Sequence, residues 1–134
     1  FKTLELHCSD ISQAHLGIEP VELVYAALVF EYVNVPLALQ HLFLTCRDGG
    51  HLVALLQLPS SGVATVTLTA FTSLQRLSSV LKYVDPLALQ EMAHDTGFRL
   101  QHSAKVTSAA GKEFAVQTFA RSSANKSLER TRGR

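Results

Sequence analysis

An α/β fold, with a mostly parallel sheet closed by an antiparallel C-terminal hairpin, is predicted by three features of the sequence. Strand-like and helix-like periodicities alternate along the chain, which implies right-handed crossovers and parallel pairing. Residues 21–30 and 51–58 are nearly continuous apolar runs, the pattern of central parallel strands covered on both faces. At the C-terminal end two strand-like segments follow one another across the short Ser108–Lys112 loop, which reads as a hairpin.

The elements can be justified in order. Leu4, Leu6 and Cys8 alternate with Glu5 and His7, so residues 3–9 are expected to form a strand with one wetter face, as at a sheet edge. After the apolar run at 21–30, Asn34 can cap a helix that carries Pro36 in its first turn, where a missing N–H is harmless. Leu39, Leu42, Phe43 and Cys46 then fall on one face, and Gly49-Gly50 is the expected left-handed exit into the run at 51–58. Ser73 is the expected start of a second helix bearing Leu74, Leu77 and Leu81. Asp85-Pro86 opens a third, with Leu89, Met92 and Ala93, that stops at Gly97. All three apolar stripes read as packing surfaces. Phe98, Leu100, Ala104 and Val106 return to an alternating pattern over 98–106, and a last strand follows at 113–120.

A chain of 134 residues that is 47% hydrophobic and 17% charged can bury one core, so residues 1–121 are read as a single domain. Residues 121–134 hold five Lys or Arg against one acid, about +4, which leaves about −3 on the body and no basic face for nucleic acid. The segment 122–134 lacks apolar content and is expected to be a disordered basic tail. Cys8 and Cys46 stand in apolar patterns without CxxC spacing, which argues against a disulfide framework or structural zinc. His7 and Cys8 would point to opposite faces of their strand, so one metal site cannot easily collect both. Ser60-Ser61-Gly62 lacks the Gly-x-Ser-x-Gly elbow of a hydrolase. No apolar stretch is long enough for a membrane span, and a cytoplasmic setting is expected. Phe1 stands directly before a strand pattern, as in a chain cut from something longer.

The segment Val21–Val33 runs from a buried strand into the acidic-aromatic pair Glu31-Tyr32 and on to an amphipathic helix, and Asp48-Gly49-Gly50-His51-Leu52-Val53 comes next at a fitting distance. This order and spacing resemble the fourth-strand motif of class I S-adenosylmethionine-dependent methyltransferases. The resemblance covers roughly residues 3–121 and implies a truncated Rossmann-like sheet, from strand 3 onward, of a fold whose strand order is 3-2-1-4-5-7-6. The family's glycine-rich first loop is absent from this chain.

The resemblance implies S-adenosylmethionine as cofactor, held by Asp10 and Ile11 at the adenine and by the backbone of Ala27 near the methionine moiety. Read without it, Asp10 is as well described as an exposed aspartate capping a turn with Ser12. Glu31 and Tyr32 are implied to lie near the acceptor, at a pair that is often Glu-His in the family. Tyr32 rules out a histidine base at the second position. Ala27-Leu28-Val29-Phe30 stands where methyltransferases of amino groups on bases often bear Asp/Asn-Pro-Pro-Tyr/Phe, so a small-molecule substrate is expected rather than nucleic acid. With no partner strand in the chain, residues 4–9 are expected to be mobile or re-paired, and the chain alone is expected to bind cofactor poorly and to be inactive. The competing reading is a non-catalytic α/β interaction module that self-associates, or binds another protein, through an exposed sheet edge.

Overall fold

The computed structural model describes residues 2–123, within which the chain folds as a four-stranded sheet with its main helices on one face. The elements are β1 (Val21–Ala27), a single 3-10 turn (Phe30–Tyr32), α1 (Val35–Thr45) and β2 (Cys46–Leu58). They are followed by a 3-10 segment (Thr72–Arg76) that runs into the one-turn helix α2 (Leu77–Val80), then α3 (Pro86–Thr96), β3 (Phe98–Thr107) and β4 (Glu113–Arg121). The sheet order is β1-β2-β4-β3. β1 pairs parallel with β2, whereas β4 lies antiparallel to both β2 and β3, so three of the four strands share one direction.

Capping chemistry sets both long helices where the sequence places them. The Asn34 side chain accepts the Leu37 N–H at 3.1 Å and the Asp85 side chain accepts that of Leu87 at 3.2 Å, each ahead of a proline in the first turn. α3 ends at Gly97, whose φ of +117° favours glycine, and whose missing Cβ would stand 2.7 Å from the Phe43 ring. α1 differs from expectation: it ends at Thr45, and the Gly49-Gly50 pair forms a bulge inside β2 instead of a helix exit. Arg121, on β4, replaces the glycine cap. Its guanidinium donates to the Phe43 carbonyl at 2.8 Å and to that of Cys46, and lies 4.0 Å from the centre of the Phe43 ring.

The core lies between the sheet and α1 and α3. Leu52, Ala54 and Leu56 of β2 alternate into it, with Ala26, Ala115 and Phe119 from the neighbouring strands and Ala38, Leu39, Leu89 and Ala93 from the helices. Phe98 is its aromatic centre, edge-on to Phe43 at 5.4 Å and tilted against Phe119 at 6.5 Å. Each phenylalanine buried this fully contributes about 2–3 kcal/mol.

Three expectations are corrected. Residues 3–9 form no strand: Leu4 and Leu6 are more than four-fifths exposed, because no strand among the described residues offers them a ladder. The run at 21–30 is an edge strand rather than a central one, with Leu23 59% and Tyr25 63% exposed on the face that carries no helix. The segment from Ser73 makes only a 3-10 stretch and one α-helical turn, and of the expected stripe Leu74 and Leu77 stay exposed while Leu81 is only half-buried. Its serines turn back onto local carbonyls, Ser78 to Gln75 and Ser79 to Arg76, a competition that keeps such sequences from propagating a helix. The basic tail falls almost wholly outside the described residues.

Gly97→Ala should cost roughly 1–3 kcal/mol of unfolding free energy, from the left-handed backbone and the clash with Phe43. Chemical denaturation checks this, and an unchanged midpoint would mean that α3 can end in another way.

Candidate functional site

Because β1 and β2 run parallel, their carboxyl ends open on the same edge of the sheet, where open α/β sheets bind ligands. The β1–α1 turn, residues 28–34, forms one wall of this edge. It leaves the strand through Leu28, whose φ of +56° puts a bulky side chain in the left-handed region. The Leu28 N–H donates to the Leu55 carbonyl at 3.0 Å, extending the β1–β2 ladder by one bond after the strand has ended. A left-handed leucine costs roughly 1–2 kcal/mol and persists only where its surroundings hold it.

Glu31 supplies that hold. Its side chain is 1% exposed, and Oε1 accepts the Gln57 N–H at 2.6 Å. Gln57 lies two residues beyond Leu55, so its N–H faces the same edge of β2. The carboxylate therefore stands where the carbonyl of a longer β1 would. Oε2 is buried without a hydrogen-bond partner. Burial pushes the Glu31 carboxyl above its ordinary range, against the weaker opposing pull of the Gln57 bond. The Glu31 carbonyl accepts the Lys82 N–H at 2.9 Å, and the Gln57 side chain donates to the Thr65 carbonyl at 2.8 Å. The carboxyl thus ties the turn to the end of β2, while the long 59–85 connection is held by the Glu31 backbone carbonyl and the Gln57 side chain.

Tyr32 is 37% exposed, and partial burial, with a smaller contribution from the Glu31 charge, pushes its phenol above the usual range. It stays a neutral hydroxyl, able to donate or accept a hydrogen bond. Ala27 is exposed at the end of β1, with a side chain too small to shield its backbone.

Asp10 and Ile11 reach the molecule by another route. Ile11 packs against the core, and its carbonyl is bonded to Nδ1 of His41 on α1. Asp10 Oδ1 accepts both the Ser12 N–H at 2.9 Å and the Ser12 hydroxyl at 2.6 Å, which hold the carboxyl below its ordinary value and so ionised. This is the turn-capping arrangement that its spacing to Ser12 allows. Ala27 ends β1 and Glu31 and Tyr32 lie in the turn that follows it, whereas Asp10 and Ile11 are anchored separately, with no hydrogen bond between the two groups among the described residues. A groove of about 490 Å³ between α1 and α3 shares none of these five residues. Among the described residues no group of three His, Cys, Asp or Glu side chains is placed to hold a metal ion.

The sequence reading missed Leu28, Gln57 and Gln117. The two glutamines carried a signal, each being a polar residue inside an apolar strand. Gln117 is fully buried and donates to the Pro86 carbonyl at 3.2 Å, tying β4 to the start of α3. Leu28 carried none, since nothing about a leucine in an apolar run announces a left-handed backbone.

Leu28→Val should be less stable than Leu28→Gly by about 1 kcal/mol or more, because a β-branched residue tolerates positive φ least. Equal unfolding midpoints would show the turn relaxing out of the left-handed region.

Among solved structures the chain is similar to an S-adenosylmethionine-dependent methyltransferase from Mesorhizobium loti, at 16% identity and a TM-score of 0.63, over 84% of this chain and 68% of that one. It is similar to the N-methyltransferase NodS from Bradyrhizobium japonicum WM9, solved with S-adenosyl-L-homocysteine, at 14% identity and a TM-score of 0.57, over 84% and 52%. A pericyclic reaction enzyme also matches, at 16% identity and a TM-score of 0.54, over 81% and 28%. The chain therefore spans from about a quarter to two thirds of these proteins' lengths. No protein-family model and no curated protein matches the sequence. The order β1-β2-β4-β3, with β4 reversed, reproduces the 4-5-7-6 half of the sheet that the resemblance implies, and the chain has the fold of the class I S-adenosylmethionine-dependent methyltransferases.

Proposed function

We propose that this chain is the C-terminal portion of an S-adenosylmethionine-dependent methyltransferase acting on a small molecule. The observation that carries the reading is the β1–α1 turn at the carboxyl edge of a sheet with this strand order. The residues present fit two ends of the cofactor. Asp10 is ionised and exposed, and both of its hydrogen bonds go to Oδ1, which leaves Oδ2 to accept from an adenine amino group, with the Ile11 N–H beside it. Ala27 leaves its backbone approachable for the methionine end. The bound cofactor would supply an activated methyl group on a sulfonium. The chain's own contribution is then alignment: Tyr32 orients the acceptor through its hydroxyl, and Glu31, from behind, keeps the turn in place for an in-line attack. Fold likeness alone does not choose this reaction, since one of the matched structures is a pericyclic enzyme.

A second reading is favoured by one specific observation, the edge of β1 that no strand among the described residues pairs, with Leu23 and Tyr25 exposed beside it. An unpaired, apolar edge is a template for strand addition, and the chain would then act as an interaction module that pairs with a second copy.

In the protein that carries this chain, Asp10→Ala should weaken S-adenosylhomocysteine binding by about 1–3 kcal/mol, read by calorimetry. Unchanged affinity would remove Asp10 from the site. For the second reading, light scattering of this chain should show a dimer that Tyr25→Lys returns to monomer. A native monomer at high concentration would end that reading.

A further inference from the structure

The chain carries two halves of a β-ladder that do not meet within one copy. The first is the outer edge of β1. Among the described residues β1 pairs with β2 alone, so its other edge holds a row of backbone N–H and C=O groups without a ladder. The strand has none of the usual guards against association. Val21–Ala27 contains no proline or lysine, and its one charged side chain, Glu22, is paired with Arg47 of β2 at 3.0 Å. On the helix-free face Leu23 and Tyr25 lie beside His51 and Val53, and both are more than half exposed.

The second half is the segment 3–9. Leu4, Leu6 and Cys8 alternate with Glu5 and His7, the period of a strand with one apolar face. Among the described residues the backbone of this segment makes no hydrogen bond, and its one polar contact is internal, Glu5 to His7 at 2.8 Å. Leu4 and Leu6 are more than four-fifths exposed. The segment nevertheless leaves from a fixed root. The Asp10–Ser12 turn follows it, and Ile11 is packed against the core with its carbonyl on His41 of α1. From that root the segment does not lie on the β1 edge of its own copy.

We propose that two copies of this chain exchange these segments, residues 3–9 of each adding as a strand to the β1 edge of the other, with Leu4 and Leu6 beside Leu23 and Tyr25. Each piece supplies what the other lacks. The new ladder pairs the backbone groups of both, and the apolar side chains shield one another across the strands. Glu5 and His7 fall on the opposite face of the added strand and keep their own pair. Because every copy gives one segment and receives one, the exchange closes at two copies. Direct pairing of β1 with β1 would instead leave Leu4 and Leu6 in water. The proposal rests on the interaction-module reading, whose partner strand it specifies, and needs no cofactor.

Light scattering of this chain tests it. The native chain should have twice the monomer mass. A Leu4→Lys, Leu6→Lys double variant should fall to monomer mass with an unchanged circular dichroism spectrum, since neither leucine packs against anything in the single copy. Deletion of residues 1–9 should do the same. Cys8, exposed and free, is the reporter of contact, Cys46 being buried. On mild oxidation it should form a disulfide between copies with Val21→Cys if the added strand runs antiparallel to β1, or with Ala27→Cys if it runs parallel. A native dimer that survives both the double variant and the deletion, or that cross-links at neither position, overturns the exchange while leaving direct β1-to-β1 association, and so the interaction-module reading, in place. A native monomer overturns both.

Discussion

Among the described residues β2 is the only strand paired on both edges by strands of different polarity, and it sets the position of every other element. On one edge it holds β1 in parallel register, Ala26 beside Ala54; on the other it holds β4 antiparallel, Gln117 beside the same alanine. Leu52, Ala54 and Leu56 therefore face α1 and α3 as one buried row, while His51, Val53 and Leu55 face the side without helices. A register slip of one residue would exchange the two rows and expose the core, so the hydrophobic pattern of a single strand decides which face the helices cover.

The crossover from β1 through α1 to β2 is stitched at both ends by groups from outside it. At the amino end of the sheet Arg121 of β4 closes the carbonyls left open where α1 stops, which links the crossover to the antiparallel hairpin. At the carboxyl end Glu31 takes over the ladder after β1 has ended. Both are charged residue types placed inside, and each leaves one buried atom unpartnered, Nε of Arg121 and Oε2 of Glu31. They differ in how the buried charge is met. The guanidinium keeps its charge at any ordinary pH and is compensated by two carbonyls and an aromatic face, whereas the carboxyl can shed its charge by taking up a proton.

The β1–α1 turn at the carboxyl end of the sheet holds groups that would be unfavourable elsewhere. A left-handed leucine and an uncompensated buried carboxyl stand three residues apart in one turn, and the packing of the rest of the sheet sustains both. The fold is that of the class I S-adenosylmethionine-dependent methyltransferases, and in this part of it the chain presents a hydroxyl at Tyr32, an exposed carboxylate at Asp10 and an exposed Ala27.

The helix boundaries at Asn34 and Asp85, the stop at Gly97, the hairpin at Ser108–Lys112 and the resemblance of Val21–Val33 to a known motif were all legible in the sequence, because each rests on contacts between residues close in the chain. Asp10 with Ser12 was legible for the same reason. Alternation at Leu4–Cys8 was read as an edge strand left without its partner, and the apolar run at 21–30 as a central strand; among the described residues the first forms no strand and the second lies at the sheet edge, since a strand's burial depends on a neighbour that its own sequence does not contain. Ionisable groups divide along the same line. Composition alone cannot distinguish the cap made by Arg121 from a solvated tail charge, or the inward turn of Glu31 from a surface acid facing a substrate. Both arise when strands distant in sequence come together, and it is their packing that takes the charge out of water.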